Sequence, residues 1–165
     1  MSSKLKAKEP QLEEILIDFP PGPLDRYRKR ANFDWKKLKL YWEGEDVLKF
    51  KHFLANVFQN DPLFAPPIET ENLEAQRDRA YMISRRLLEY DFLNLWREIK
   101  GRPTTVRESV AFGEVTMAAA GGGNLKHGIN VQSFGQTVKN WGSERHKKFT
   151  EDTNKFDIYG CFALT

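Results

Sequence analysis

The chain has 165 residues, one domain's worth, with 40% hydrophobic and 13% aromatic side chains, a composition that excludes general disorder and allows one buried core. Its 26 Lys and Arg against 23 Asp and Glu leave a net charge of +3, too small and too interspersed for a nucleic-acid footprint. The single cysteine, Cys161, excludes an intrachain disulfide and points to a reducing compartment, and no apolar run approaches the roughly eighteen residues that cross a bilayer.

Residues 1–22 read as an N-terminal tail. Lys4, Lys6 and Lys8 have no apolar stretch behind them, and Glu13 and Glu14 follow too soon for an acid-poor transit peptide. Pro20-Pro21-Gly22-Pro23 is a stiff turn, and Pro23 suits the first turn of a helix through Leu24 to Arg28. From there residues 23–156 read as one helical domain. Asp34 is placed to cap a short helix through Trp35, Leu38 and Tyr41, which Gly44 closes. Val47, Phe50, Phe53, Leu54, Val57 and Phe58 then recur at three- and four-residue steps, the broad apolar face of a helix that runs to Asp61-Pro62.

Ala65 to Thr70 is a linker. Beyond Asn72 a helical pattern runs through Leu73, Ala80, Ile83, Leu87 and Leu88, with Arg77, Arg79, Arg85 and Arg86 among its polar positions. A connected stretch through Phe92, Leu95, Trp96 and Ile99 ends near Gly101, and Pro103 suits the first turn of a helix reaching about Ala120. Gly121-Gly122-Gly123 either breaks the chain or permits very close backbone contact. Leu125, Ile129, Val131, Phe134, Val138 and Trp141 predict another helix, ended by Gly142 in the left-handed conformation, and Ser143 caps the next with Glu144 in its first turn. After Asp157 the period changes, and Ile158 to Leu164 reads as a buried strand. An unpaired apolar edge of this kind is an aggregation hazard, so the expectation is a chain that stops partway through a larger fold.

Candidate chemistry is sparse. Around Gly121 to Gly123 no strand precedes, Lys126 stands where the dinucleotide fingerprint needs its last glycine, and no Gly-Lys-Ser/Thr follows, so a helix crossing or hinge is the better reading. His52, His127 and His146 lack ligand-spaced partners and suit surface or capping roles. Glu114, inside the apolar stretch Val110 to Ala120, is either a buried base with a raised pKa or an ordinary solvated helix acid. Arg77, Arg79, Arg85 and Arg86 either clamp an anion or pair with neighbouring acids. Cys161 reads as a small buried hydrophobe.

Four segments together resemble the acyl-CoA oxidases, flavoenzymes related to the acyl-CoA dehydrogenases. They are Gly22-Pro23-Leu24-Asp25-Arg26-Tyr27-Arg28, Asn60-Asp61-Pro62-Leu63-Phe64, Gly142-Ser143-Glu144-Arg145-His146 and Gly160-Cys161-Phe162-Ala163-Leu164-Thr165. The similarity covers about residues 20 to 165, is weakest from Pro66 to Arg107, and is nearest in pattern to the peroxisomal branched-chain, pristanoyl-CoA type. The resemblance implies a mainly α fold: a helical N-terminal domain, with residues 157–165 the first strand of a β domain that the chain does not complete and a helical bundle beyond it.

It also implies a reaction. A base removes the α proton of an acyl-CoA, the β hydrogen leaves as hydride to FAD, and oxygen takes the electrons to give hydrogen peroxide and a trans-2-enoyl-CoA. Thr165 matches the threonine that contacts FAD in that family, whereas no acid here corresponds to its glutamate base in the C-terminal domain. The expectation is therefore a peroxisomal oxidase portion inactive alone, with acyl-CoA as substrate, a homodimer when complete, and the Leu125 to Trp141 helix as the place to look for the acyl pocket wall. A stand-alone helical acyl-CoA-binding or regulatory module is the alternative. A mitochondrial dehydrogenase is disfavoured by the missing transit peptide.

Overall fold

The computed structural model describes residues 8–67 and 70–161, and every regular element among them is helical. Two single-turn helices, α1 (Leu12–Ile15) and α2 (Asp25–Arg28), lead to α3 (Trp35–Glu43), whose start is fixed by Asp34 accepting hydrogen bonds from the Lys36 and Lys37 amides. Gly44 joins it to α4 (Glu45–Asn60), the helix that carries the predicted apolar face. After a 3-10 turn at Pro62–Phe64 come α5 (Leu73–Tyr90) and α6 (Phe92–Lys100), with Asp91 in the left-handed conformation between them. Such a corner is tolerated by an aspartate and turns α6 back toward α4.

The core lies where α4 packs on α7 (Val106–Ala120) and α6 closes over both. It is dominated by aromatic rings. Trp96 stands 5.0 Å from Phe50 and 5.6 Å from Phe53, centroid to centroid, and Phe92 meets Phe58 edge-on at 5.3 Å. Edge-to-face and offset pairs of this kind add to the burial of the rings themselves. The predicted face Val47 to Phe58 is therefore the one that builds the interior.

Several boundaries differ from expectation, among them that of Pro23, which stays outside α2 because Leu24 is its cap. Pro103 stays outside α7, because Thr105 and Glu108 form a reciprocal capping box that sets the first turn at Val106. Gly142 is extended (φ −71°, ψ 148°) rather than left-handed, since the chain must run straight into Ser143, itself the extended cap of the 3-10 turn Glu144–His146. Helix α10 (Lys147–Asn154) follows.

The triple glycine does both things foreseen for it. Gly121 (φ 44°) breaks the chain after α7, and Gly123, at the start of α8 (Gly122–His127), presses its backbone onto α5. A Cβ there would run into the Ile83 side chain. From α8 the helical path continues through a π-helical stretch of 8 residues, Gly128–Gly135, into α9 (Gln136–Trp141). Of the expected strand, Ile158 to Cys161 show no strand pairing among the described residues, and Phe162 to Thr165 lie outside them.

Residues 8–15 lie against α4. Glu9 reaches Lys100 (2.9 Å) and Lys49 (3.1 Å), heading a row of alternating charges. Lys49 continues to Glu45 (2.6 Å), and Lys100 to Asp46 (2.8 Å), Arg102 and Glu108.

Candidate functional site

The end of the described chain is held by the π stretch. Asn130, 3% exposed, gives its amide hydrogens to the carbonyls of Thr153 (3.4 Å) and Ile158 (3.3 Å), and its Oδ1 accepts from the Gly160 amide (2.9 Å). Beside it the His127 ring stacks on Phe156 at 6.1 Å. Burial pushes the His127 imidazole below its ordinary value, against the Ser84 backbone, and its Nδ1 has no hydrogen-bond partner among the described residues. Phe156 is buried although its φ of 58° is unusual for a residue with a side chain.

On the outer side of this end Tyr159 lies beside Tyr81, and Met82 of α5, Leu125 of α8 and Ile129 of the π stretch are exposed as well. Tyr81 and Tyr159 pair at 6.1 Å, and Arg85 donates to the Tyr81 hydroxyl (3.1 Å). Partial desolvation of its hydroxyl, with the Tyr81 hydroxyl nearby, pushes the Tyr159 phenol up to about 12, so Tyr159 stays protonated near neutrality and is no base there. The Leu125–Trp141 segment named from sequence thus presents Leu125, Ile129 and Trp141 to the surface.

The other sequence candidates resolve into ordinary contacts. Glu114 is solvent-facing and paired with Lys51 (2.7 Å), the reading of a solvated helix acid. Arg77 binds Glu74, Arg79 reaches the Leu63 and Ala65 carbonyls and Glu71, Arg85 meets Tyr81, and Arg86 spans Asp61 and Glu89, so the four converge on no common anion position. His146 accepts from the Ser143 amide as part of a cap, and among the described residues no cluster of His, Cys, Asp and Glu has metal-site geometry. Cys161 is exposed, not a buried hydrophobe, because the Asn130 bond to Gly160 holds the main chain on the surface of the π stretch. Thr165, the flavin-contact expectation, lies outside the described residues.

Two buried acids escaped the sequence reading. Glu108, 0% exposed, accepts from Trp96 Nε1 (2.8 Å), Arg102 (2.9 and 3.0 Å), the Thr105 amide (2.7 Å) and the Thr105 hydroxyl (2.9 Å). Burial alone would raise its pKa, but Arg102, Thr105 and Trp96 together hold it down to about 2. The Thr105-Val106-Arg107-Glu108 spacing was the available signal. Asp61 likewise accepts from Arg86 (2.7 Å), Tyr90 (2.6 Å) and the Leu63 amide, so the Asn60-Asp61-Pro62 segment ties α4 to α5. For Asn130 the signal was one amide among the apolar positions of its helix.

Two clefts stand out among the described residues. One, of about 300 Å³, lies between α4 and residues 8–10, over Phe53, Val57 and Tyr90; the other, of about 220 Å³, lies between Trp42 and Val110. These are at or below the low end of small-ligand pockets, roughly 300–1,000 Å³. Neither is lined by a glycine-rich loop of the kind that cradles a pyrophosphate.

The chain has sequence relatives among known proteins. It is 37% identical to human peroxisomal acyl-coenzyme A oxidase 3 over 154 residues, which make up 92% of this chain and 21% of that protein. The chain is homologous to the acyl-coenzyme A oxidases. It is also 30% identical to acyl-coenzyme A oxidase acox-3 of Caenorhabditis elegans over 86% of its length, and 23% identical to the peroxisomal acyl-coenzyme A oxidase 3 of Arabidopsis thaliana over all of it. These alignments span 20% and 26% of the two proteins, so the chain covers about a fifth to a quarter of the curated relatives it matches. No family model matches the chain, and no solved structure matches it.

Proposed function

We propose that this chain is the helical N-terminal portion of an FAD-dependent, peroxisomal acyl-CoA oxidase, a homodimer when complete, and that it does not catalyse alone. The assembled enzyme would convert an acyl-CoA to a trans-2-enoyl-CoA while oxygen is reduced to hydrogen peroxide. The observation that carries this reading is the 37% identity to a named oxidase along 92% of the chain. When bound, FAD would supply the hydride acceptance that no side chain provides.

The chemistry of the described residues agrees with a supporting role. Glu108 is the one completely buried acid among them, and with a pKa of about 2 and five donors around its carboxylate it takes up no proton near neutrality. A base for the α proton would come from outside these residues. Thr165 is proposed as a flavin contact, and the surface that carries Leu125 and Ile129 as apolar wall for the acyl chain.

The test has two parts. The purified chain, incubated with FAD and repurified, is expected to show no flavin absorbance and to release no peroxide from an acyl-CoA. A chimera in which it replaces the matching residues of the human relative is expected to hold flavin and make peroxide. Stoichiometric flavin in the 165-residue chain, or a silent but folded and flavin-loaded chimera, would overturn the proposal. The exposed Met82, Leu125 and Ile129 favour one second reading, a stand-alone acyl-CoA-binding module. Calorimetry of the isolated chain with a long-chain acyl-CoA decides it, since absence of binding heat removes that reading.

A further inference from the structure

The geometry points to Asn130 as a positioning residue: from the π stretch it fixes the course of residues 156–161, and so the direction in which the chain leaves the helical domain. A side-chain amide carries two donors and an acceptor on one planar group. Asn130 uses all of these on three separate main-chain groups, Thr153 O, Ile158 O and Gly160 N. Aspartate lacks the donors and leucine lacks both, and at 3% exposure no bulk water stands ready to replace a lost partner.

The surroundings are shaped to the same end. Gly160 lies so close to the Phe134 ring that a Cβ would overlap it, and Gly135 meets Thr153 with a Cβ distance of only 3.1 Å. Phe156 keeps a left-handed backbone while its ring is buried between His127 and Tyr159. A strained residue, a buried amide and two close glycine contacts are thus concentrated where the π stretch meets α10 and the short terminal segment. None of Asn130, Phe156 and Gly160 belongs to the main hydrophobic cluster, which sits on α4 to α7. Strain outside the core is retained where a geometry is being held. Only the use of that geometry, presenting Thr165 to a flavin, rests on the proposed function.

Cys161 supplies the test, because it is exposed, is the sole cysteine and directly follows Gly160. A nitroxide label on Cys161 reports the motion of the segment by electron paramagnetic resonance, with no flavin present. Asn130→Ala is expected to raise the ratio of mobile to restrained label by about tenfold or more, since unpartnering three buried groups exceeds the ~1.4 kcal/mol that a factor of ten requires. Gly160→Ala, with Asn130 intact, is expected to act likewise and serves if Asn130→Ala does not fold. Asp61→Asn, which weakens the fold elsewhere, is expected to lower Tm and leave the label unchanged. Unchanged label motion in the clamp variants, or equal mobilisation by Asp61→Asn, would overturn the assignment. Neither result bears on the flavin and peroxide assays, so the two readings fail separately.

Discussion

Replacing Glu108 by glutamine keeps the shape of the side chain and removes its charge, leaving Arg102 facing a neutral amide. The folded protein holds this carboxyl at about 2 instead of its ordinary 4.5. At 1.36 kcal/mol per factor of ten in proton affinity, that difference corresponds to about 3 kcal/mol of stability. For a domain of this size the Glu108→Gln variant should melt roughly 6–12 °C lower near pH 7. Because the folded-state pKa is depressed, the contribution is complete above about pH 4.5 and is lost as the pH falls through about 2. Urea unfolding of both chains, followed by circular dichroism from about pH 7 to about pH 2, should show the gap closing across that window. Glu9 and Asp61, also held low by their partners, titrate in both chains and cancel in the difference. A gap under about 1 kcal/mol at neutrality, or one indifferent to pH, would refute the argument that paired donors outweigh burial here.

Two further outcomes are expected. Gly123→Ala should cost about 1–3 kcal/mol by forcing α8 off α5, and the cost should shrink in an Ile83→Ala background, which urea titration of the double-mutant cycle would measure. His127 has a folded pKa below its ordinary 6.5, so the unfolded chain takes up the proton first; stability should fall as the pH drops below about 6.5, and His127→Phe should flatten that decline in thermal melts.

What was legible in the sequence was what depends on local period and local caps. The α4 face, the Asp34 and Asn72 starts, the Gly44 and Gly101 ends and the break at Gly121 all follow from neighbours within a turn or two. Pro103 misled because a good first-turn residue stood beside a better signal, the Thr105 to Glu108 box. The contacts that matter at the candidate site are long-range. Asn130 meets Gly160, Asp61 meets Tyr90, and Glu108 meets Trp96, pairings between segments that no periodicity relates. The π stretch was hidden for a related reason: its apolar spacing satisfies an α-helix, and the wider turn is seen only with α10 and the terminal segment packed against it.

The row of charges that begins at Glu9 joins residue 9 to residue 100 across more than half of the described chain, and several of its members border solvent. Concentrated electrolyte weakens such links while leaving aromatic packing intact. The first dozen or so described residues would then peel away ahead of the core, baring Phe53 and Val57. Purification in high salt would therefore hand the experimenter a stickier protein than the cell ever meets.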